Sequence, residues 1–283
     1  MDGSSNYVEV EPGVKLYVQD WGEGKPILFI HGWPLNHRMF EYQTMALPKQ
    51  GFRVIALDLR GFGMSDKPWN GYDYDTWVQD IRKVIDALKL RDVTLVGFSI
   101  GGAIAMHYAA TQNDDRVSKL VLIAAAGPSF VNRPKFPHGV PTSAVEGLIQ
   151  GEKADRAKLK QDFGNIFFHK APSEPMARFY ESLGMQASAH ASLRGLEELR
   201  DEDLTGEIGS IRIPTRIFHG VNDKVVPFEL GEVQRESIPG SQLIRFESSG
   251  HAICYEESDK VIEELARFVS EEIETKSTLM SYA

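Results

Sequence analysis

The chain has 283 residues and a formal net charge of −9, and its pI near 5.4 argues against nucleic acid or an anionic membrane surface as partner. Hydrophobic residues make up 42% and charged residues 25%, proportions of a globular protein able to bury a large core. Cys254 is its single cysteine, which excludes an intramolecular disulfide and a zinc–thiolate cluster. Residues 1–6 lack the basic and apolar parts of a secretion signal, and no apolar run approaches a membrane span. The sequence therefore reads as a cytoplasmic protein. Residues 7–10 and 16–20 predict a hairpin turned at Pro12-Gly13. Residues 27–30 and 54–57 are apolar throughout, as strands buried on both faces are, and 93–96, 120–124 and 216–218 repeat the theme, interrupted only by Thr94 and Arg216. Helical patterns lie between them: residues 74–88 place Trp77, Ile81, Val84, Ile85 and Leu88 on one stripe. Residues 100–110 lack proline and are rich in alanine. This alternation predicts an α/β fold with a mostly parallel, doubly wound sheet.

From Gly127 to Gly206 the alternation breaks. Pro128, Pro134, Pro137 and Pro141 are followed by several helical stretches carrying Phe163, Phe167, Phe168, Met176, Phe179 and Met185. This region predicts a helical cap over the sheet edge, although any one of these aromatics also fits a plain helical core. The expected organisation is a core of residues 1–126 and 207–275, a cap of 127–206 and a frayed tail of 276–283.

Between the strand at 93–96 and the helix at 100–110 stands Gly97-Phe98-Ser99-Ile100-Gly101-Gly102. A serine at such a turn is held out of the regular backbone with its hydroxyl exposed, and the flanking glycines remove Cβ atoms that would clash. A serine hydroxyl is a poor nucleophile at neutral pH, so it needs a base, and the base needs an orienting carboxylate. Of eight histidines, His37, His138, His169 and His190 fall in loops or the cap, and His107 lies along the helix that follows Ser99. His31 and His219 end strands. His251 follows the strand-like run 243–246 and a flexible Ser248-Ser249-Gly250, which places it at the carboxyl edge where open α/β sheets build their sites.

Asp223, in His219-Gly220-Val221-Asn222-Asp223, ends the strand before it. A plain turn role is the alternative for Asn222-Asp223. The competing position after the strand at 120–124 holds Ala125-Ala126-Gly127 and offers no carboxylate. An oxyanion needs backbone N–H donors. The Ile100 amide is one, directly after Ser99; the other comes from His31-Gly32-Trp33-Pro34. Proline cannot donate and Gly32 is too early in the turn, which leaves Trp33. The His31 side chain is expected to be buried beneath that loop.

Taken in order, Phe29-Ile30-His31-Gly32-Trp33-Pro34, Asp58-Leu59-Arg60-Gly61-Phe62-Gly63-Met64-Ser65-Asp66, Gly97-Phe98-Ser99-Ile100-Gly101-Gly102, His219 through Pro227 and Gly250-His251 resemble the α/β-hydrolase family. The nearer likeness is to bacterial arylesterases and cofactor-free haloperoxidases, which are perhydrolases. The resemblance implies Ser99 as nucleophile, His251 as base and Asp223 as its partner, with an acyl-enzyme released by water and no cofactor or metal. In relatives with proline after the oxyanion-loop tryptophan, hydrogen peroxide replaces water and gives a peracid that oxidises halide. Pro34 fixes its own φ and restricts Trp33, and with Gly32 would shape this loop; a proline that merely opens the next helix is the other reading. Asp58 and Arg60 read as structural, either a pair clamping the loop through Gly63 or a solvated pair.

The expectation is a serine hydrolase of small carboxylic esters, short-acyl or aryl, with side perhydrolase activity. Its pocket would be lined by Trp33, Phe98, Phe163, Phe167, Val225 and Ile253. A small-molecule ester is the expected partner, and a homo-oligomer is compatible with the sequence. Lactonase, amidase or carbon–carbon hydrolase activity on the same three residues is an alternative, as is a non-catalytic small-molecule receptor. Dehalogenases and epoxide hydrolases share the fold but use an aspartate nucleophile, which Ser99 excludes.

Overall fold

In the computed structural model, which describes residues 6–272, the chain opens on a hairpin of β1 (Tyr7–Glu11) and β2 (Val14–Trp21). Gly13 turns it with a φ of 82°, in the left-handed region that glycine enters without a Cβ penalty. Then follow β3 (Lys25–Ile30), α1 (Glu41–Ala46), β4 (Phe52–Leu57), α2 (Tyr74–Ala87), β5 (Val93–Phe98), α3 (Ile100–Thr111) and β6 (Val117–Ile123). Four helices come next: α4 (Thr142–Ala154), α5 (Arg156–Phe167), α6 (Glu174–Met185) and α7 (Ala189–Asp201). The chain returns through β7 (Thr215–Gly220), α8 (Phe228–Ser237), β8 (Gln242–Phe246), α9 (Ile253–Glu256) and α10 (Ser258–Ser270). The expected frayed tail, 276–283, lies outside the described residues.

The strands form one sheet in the order β1-β2-β4-β3-β5-β6-β7-β8. β1 and β2 pair antiparallel, β2 joins β4 antiparallel, and every later pairing is parallel. The order runs out from β3 in both directions, so the loops after β3 and β5 meet at the carboxyl edge. β5 is buried at every position because helices cover both of its faces. α2 buries Trp77, Val78, Ile81, Val84 and Ile85 on one stripe. Asp73 caps it, accepting from Thr76 N–H at 2.7 Å, an interaction worth about 1 kcal/mol. Among the described residues no helix is long and apolar enough to cross a membrane.

Asp58 and Arg60 neither pair with each other nor stand in solvent, since both are buried. Arg60 lays its guanidinium on Asp80 of α2 through two bonds of 2.7 Å and reaches Glu11 of β1 at 3.1 Å. Asp58 instead accepts from the His37 N–H at 2.7 Å and the Met64 N–H at 2.7 Å, with His37 Nδ1 at 2.8 Å. β4 ends at Leu57, so both residues already belong to a turn and their side chains leave toward different elements. Asp58 still fastens the loop through Gly63, and it does so with backbone amides instead of a guanidinium.

Candidate active site

Ser99 stands between β5 and α3 with φ 55° and ψ −122°, a backbone state that costs a non-glycine residue on the order of 1–3 kcal/mol. Its surroundings impose it. The Ser99 N–H donates to Ile123 O at 3.0 Å, and its carbonyl accepts from Gly102 and Ala126, each at 2.9 Å. A methyl group on Gly97 would overlap the Gly101 carbonyl, and one on Gly101 would overlap the carbonyls of Ile30 and His31. The backbones of β3, β5 and α3 therefore meet without intervening side chains, and the serine is carried on that junction.

Asp223 follows β7 with its side chain fully buried. Its Oδ1 accepts from Val225 N–H at 2.8 Å and Val226 N–H at 2.9 Å, and its Oδ2 lies 2.7 Å from His251 Nδ1. Two backbone donors thus aim one carboxylate oxygen and leave the other for the imidazole. His251 follows β8, with its ring against Phe98 at 4.7 Å and Phe167 at 5.4 Å. Its Nε2 is buried and has no hydrogen-bond partner among the described residues. An imidazole held by a carboxylate on one nitrogen and free on the other can accept a proton there. Ser99, Asp223 and His251 therefore stand at the ends of β5, β7 and β8, on one edge of the sheet.

The histidine loop has a fastening that sequence patterns did not reveal. Glu256 of α9 accepts from Gly250 N–H at 2.7 Å on one oxygen. On the other it accepts from His169 N–H at 2.7 Å and Lys170 N–H at 3.0 Å. Ala252 N–H donates to Phe167 O at 3.0 Å. One carboxylate thus ties the residue before His251 to the segment after α5. The two amides on that second oxygen lie 87 and 86 positions away in the chain, a range that short motifs do not record.

Trp33 and Ile100 flank the serine, and no hydrogen bond among the described residues uses either backbone N–H. Two donors left free beside a hydroxyl suit a developing oxyanion. The Trp33–Pro34 peptide is cis. His31 lies beneath the loop: its Nε2 accepts from Leu59 N–H and its Nδ1 faces Gly32 O, each at 3.0 Å. Burial holds its pKa below the ordinary value, so it remains the neutral tautomer those two bonds require. His219 is buried behind Asp223, with Nε2 3.0 Å from Val226 O and 3.6 Å from Asp223 Oδ2. His107 turns away from Ser99 toward Asp75 at 2.9 Å and Glu207 at 2.5 Å.

The expected pocket residues fall into separate places. Ser99 opens into a hollow of about 20 Å³ lined by Trp33, Ala126, Phe130, Phe163 and Val225. A larger cavity of about 440 Å³ lies beside it, walled by Pro34, Lys160, Phe163, Phe167, Phe168 and Tyr180. Phe163 belongs to both. Phe98 and Ile253 line neither; both are fully buried, Phe98 beneath the His251 ring. The Phe98 ring packs against those of His251 and Phe167, and Ile253 on α9 is buried in the core.

A family model described as alpha/beta hydrolase fold matches residues 25–258. An AB hydrolase superfamily protein, YisY, of Bacillus subtilis is 44% identical over 93% of this chain and 98% of its own. A bifunctional esterase/perhydrolase of Acinetobacter calcoaceticus is 32% identical over 93% of this chain and 99% of its own. Among solved structures, an esterase from Exiguobacterium antarcticum superposes with a TM-score of 0.92 at 43% identity, covering 94% of this chain and 99% of the other.

Proposed function

The chain belongs to the α/β-hydrolase fold family, and within it we propose a serine hydrolase of small carboxylic esters that works through an acyl-enzyme on Ser99. One observation carries this reading: His251, bound to Asp223 at 2.7 Å through Nδ1, keeps a buried and unpartnered Nε2 on the sheet edge that presents Ser99. His251 Nε2 takes the Ser99 proton as Oγ attacks the ester carbonyl. Asp223 holds the Nδ1–H and stabilises the imidazolium that forms. The Trp33 and Ile100 N–H groups bind the oxyanion. The imidazolium then returns the proton to the departing alcohol. Water, deprotonated by the same nitrogen, releases the acid and restores Ser99.

The split pocket supports the substrate class. A hollow of about 20 Å³ at Ser99 suits an acetyl-sized acyl group, and the adjacent cavity of about 440 Å³, walled by aromatic rings, suits an aryl leaving group. Helices α4–α7 then serve as a cap that closes both spaces. Rates on an aryl acetate, an aryl hexanoate, a γ-lactone and a vinylogous diketone test this reading. The acetate is expected to exceed the hexanoate by about tenfold or more in kcat/KM, since a full pocket rejects added methylenes. A lactone or diketone faster than the acetate would overturn the choice of bond.

Perhydrolysis is proposed as the side activity. The relative from Acinetobacter calcoaceticus is named an esterase/perhydrolase, and Pro34, next to the Trp33 donor, lines the larger cavity. Proline restricts the preceding residue, which can aim the Trp33 carbonyl at a hydroperoxide donor. Pro34→Leu is expected to lower peroxide-dependent bromination severalfold relative to ester hydrolysis. An unchanged ratio in paired assays would count against this role for the proline.

A further inference from the structure

The indole of Trp33 is gripped from the helices above it. Its Nε1–H donates to Ser192 O at 2.9 Å and to Ser192 Oγ at 3.0 Å, both on α7. Lys160 of α5 sets its ammonium 4.2 Å from the centre of the Trp33 ring. That ammonium also donates to Ser192 Oγ at 3.0 Å and pairs with Glu152 of α4. Phe163 meets the ring edge-on at 5.3 Å. Glycines keep the approach close: a methyl on Gly195 would come within 3.3 Å of Trp33 Cδ1, and one on Gly184 within 3.1 Å of Pro34 Cγ. Trp33, Glu152, Lys160 and Ser192 are all buried.

A buried ion pair is a poor way to stabilise a helical layer, because taking both charges out of water offsets their attraction. Apolar side chains of similar size would hold α4 and α5 together at least as well. What they could not supply is a cation against the face of a tryptophan, an attraction that strengthens when desolvated, or a donor to the hydroxyl that binds its indole N–H.

We propose that Lys160, with Glu152 and Ser192, positions Trp33 so that its backbone N–H meets the oxyanion, which makes these cap residues positioning residues of the reaction. The proposal rests on the Ser99 reading above. The groups facing the Lys160 ammonium are Glu152 from α4, Ser192 from α7 and the Trp33 ring, with Arg156 of α5 bound to the other oxygen of Glu152 at 3.2 Å. Gly184 of α6, which also packs on the Lys160 side chain, brings no charge. Burial pushes the Lys160 pKa down to about 8, against the pull of Glu152. As pH rises through that value the cation is lost and the grip on Trp33 loosens. The unfolded chain still holds this proton up to its ordinary value of 10.5, so through Lys160 the same rise in pH strengthens the fold. Activity and stability therefore move in opposite directions across this window.

The test uses the full chain with an aryl acetate as substrate. The double variant Lys160→Met/Glu152→Leu removes both charges at once and strands neither. Its thermal midpoint is expected to match or exceed wild type, with kcat lowered about tenfold and KM within about twofold, as befits a misplaced donor. The alkaline fall in kcat near pH 8 should disappear. Lys160→Arg, which keeps a cation that does not titrate there, should hold kcat nearer wild type and also lose the alkaline fall. Wild-type kcat in the double variant, or an alkaline fall at the same pH in Lys160→Arg, overturns the proposal. Quenching during turnover and weighing the protein separates the two readings. If wild type carries no acyl group on Ser99, the reaction scheme fails. If wild type and the double variant acylate at equal rates, only the role of Lys160 fails.

Discussion

Ser99→Ala is expected to lower turnover of an aryl acetate by at least about 10⁴-fold, or about 5.5 kcal/mol of transition-state stabilisation. The loss would be one of chemistry. The Ser99 backbone keeps its place through the bonds of its N–H to Ile123 and of its carbonyl to Gly102 and Ala126, none of which uses the hydroxyl. Alanine meets the positive φ of 55° at a cost similar to that of serine. A thermal midpoint close to wild type is therefore expected beside the lost activity. Mass measurement after a rapid quench should find an acetyl increment on wild type and none on the variant. Near-wild-type turnover in Ser99→Ala would remove the acyl-enzyme from consideration.

For Asp223→Asn, the expected effect is a loss of about 10³–10⁴-fold in kcat with the fold retained. The geometry explains why so small a change matters. Oδ1 of Asp223 accepts from two backbone N–H groups, Val225 at 2.8 Å and Val226 at 2.9 Å. An asparagine must keep its carbonyl oxygen there, because its NH₂ would face two donors. The amide nitrogen then points at His251 Nδ1, and the imidazole must turn that nitrogen into an acceptor. Its proton moves to Nε2, the atom that has to receive the proton of Ser99. The variant thus holds the wrong tautomer, and no partner remains for the imidazolium. The pH–rate profile and midpoint of Asp223→Asn check this together; unaltered kcat would mean that the buried carboxylate serves the loop alone.

The local parts of this site were legible because each is written in a few adjacent residues. A Gly-x-Ser-x-Gly between a buried strand and an alanine-rich helix reads as a sharp turn, with a plain helix cap as the alternative, and Ser99 occupies it with a positive φ. His251 and Asp223 were placed by the strands that precede them, and both stand at the ends expected. The sheet was legible for a similar reason, since strands apolar at every position must be covered on both faces. Side chains that leave a turn are harder to read. Spacing left Asp58 and Arg60 as a clamping pair or a solvated one, and the fold buries both, giving one to His37 and the other to Asp80. Phe98 and Ile253, close in sequence to Ser99 and His251, are fully buried and line neither space, Phe98 beneath the His251 and Phe167 rings.

Sequence by itself determined the family, the strand-edge order of Ser99, Asp223 and His251, and the loop that carries Trp33 beside the serine. These depend on backbone conformation, which short runs of residues dictate. Tertiary structure alone decided how the pocket divides, which carboxylate fastens the histidine loop and what grips the tryptophan. Ser192 meets the Trp33 indole across 159 positions of chain, and no periodicity or spacing records a contact of that range. It arises where helices from one part of the chain settle on a loop from another, and that settling follows from packing over the whole molecule.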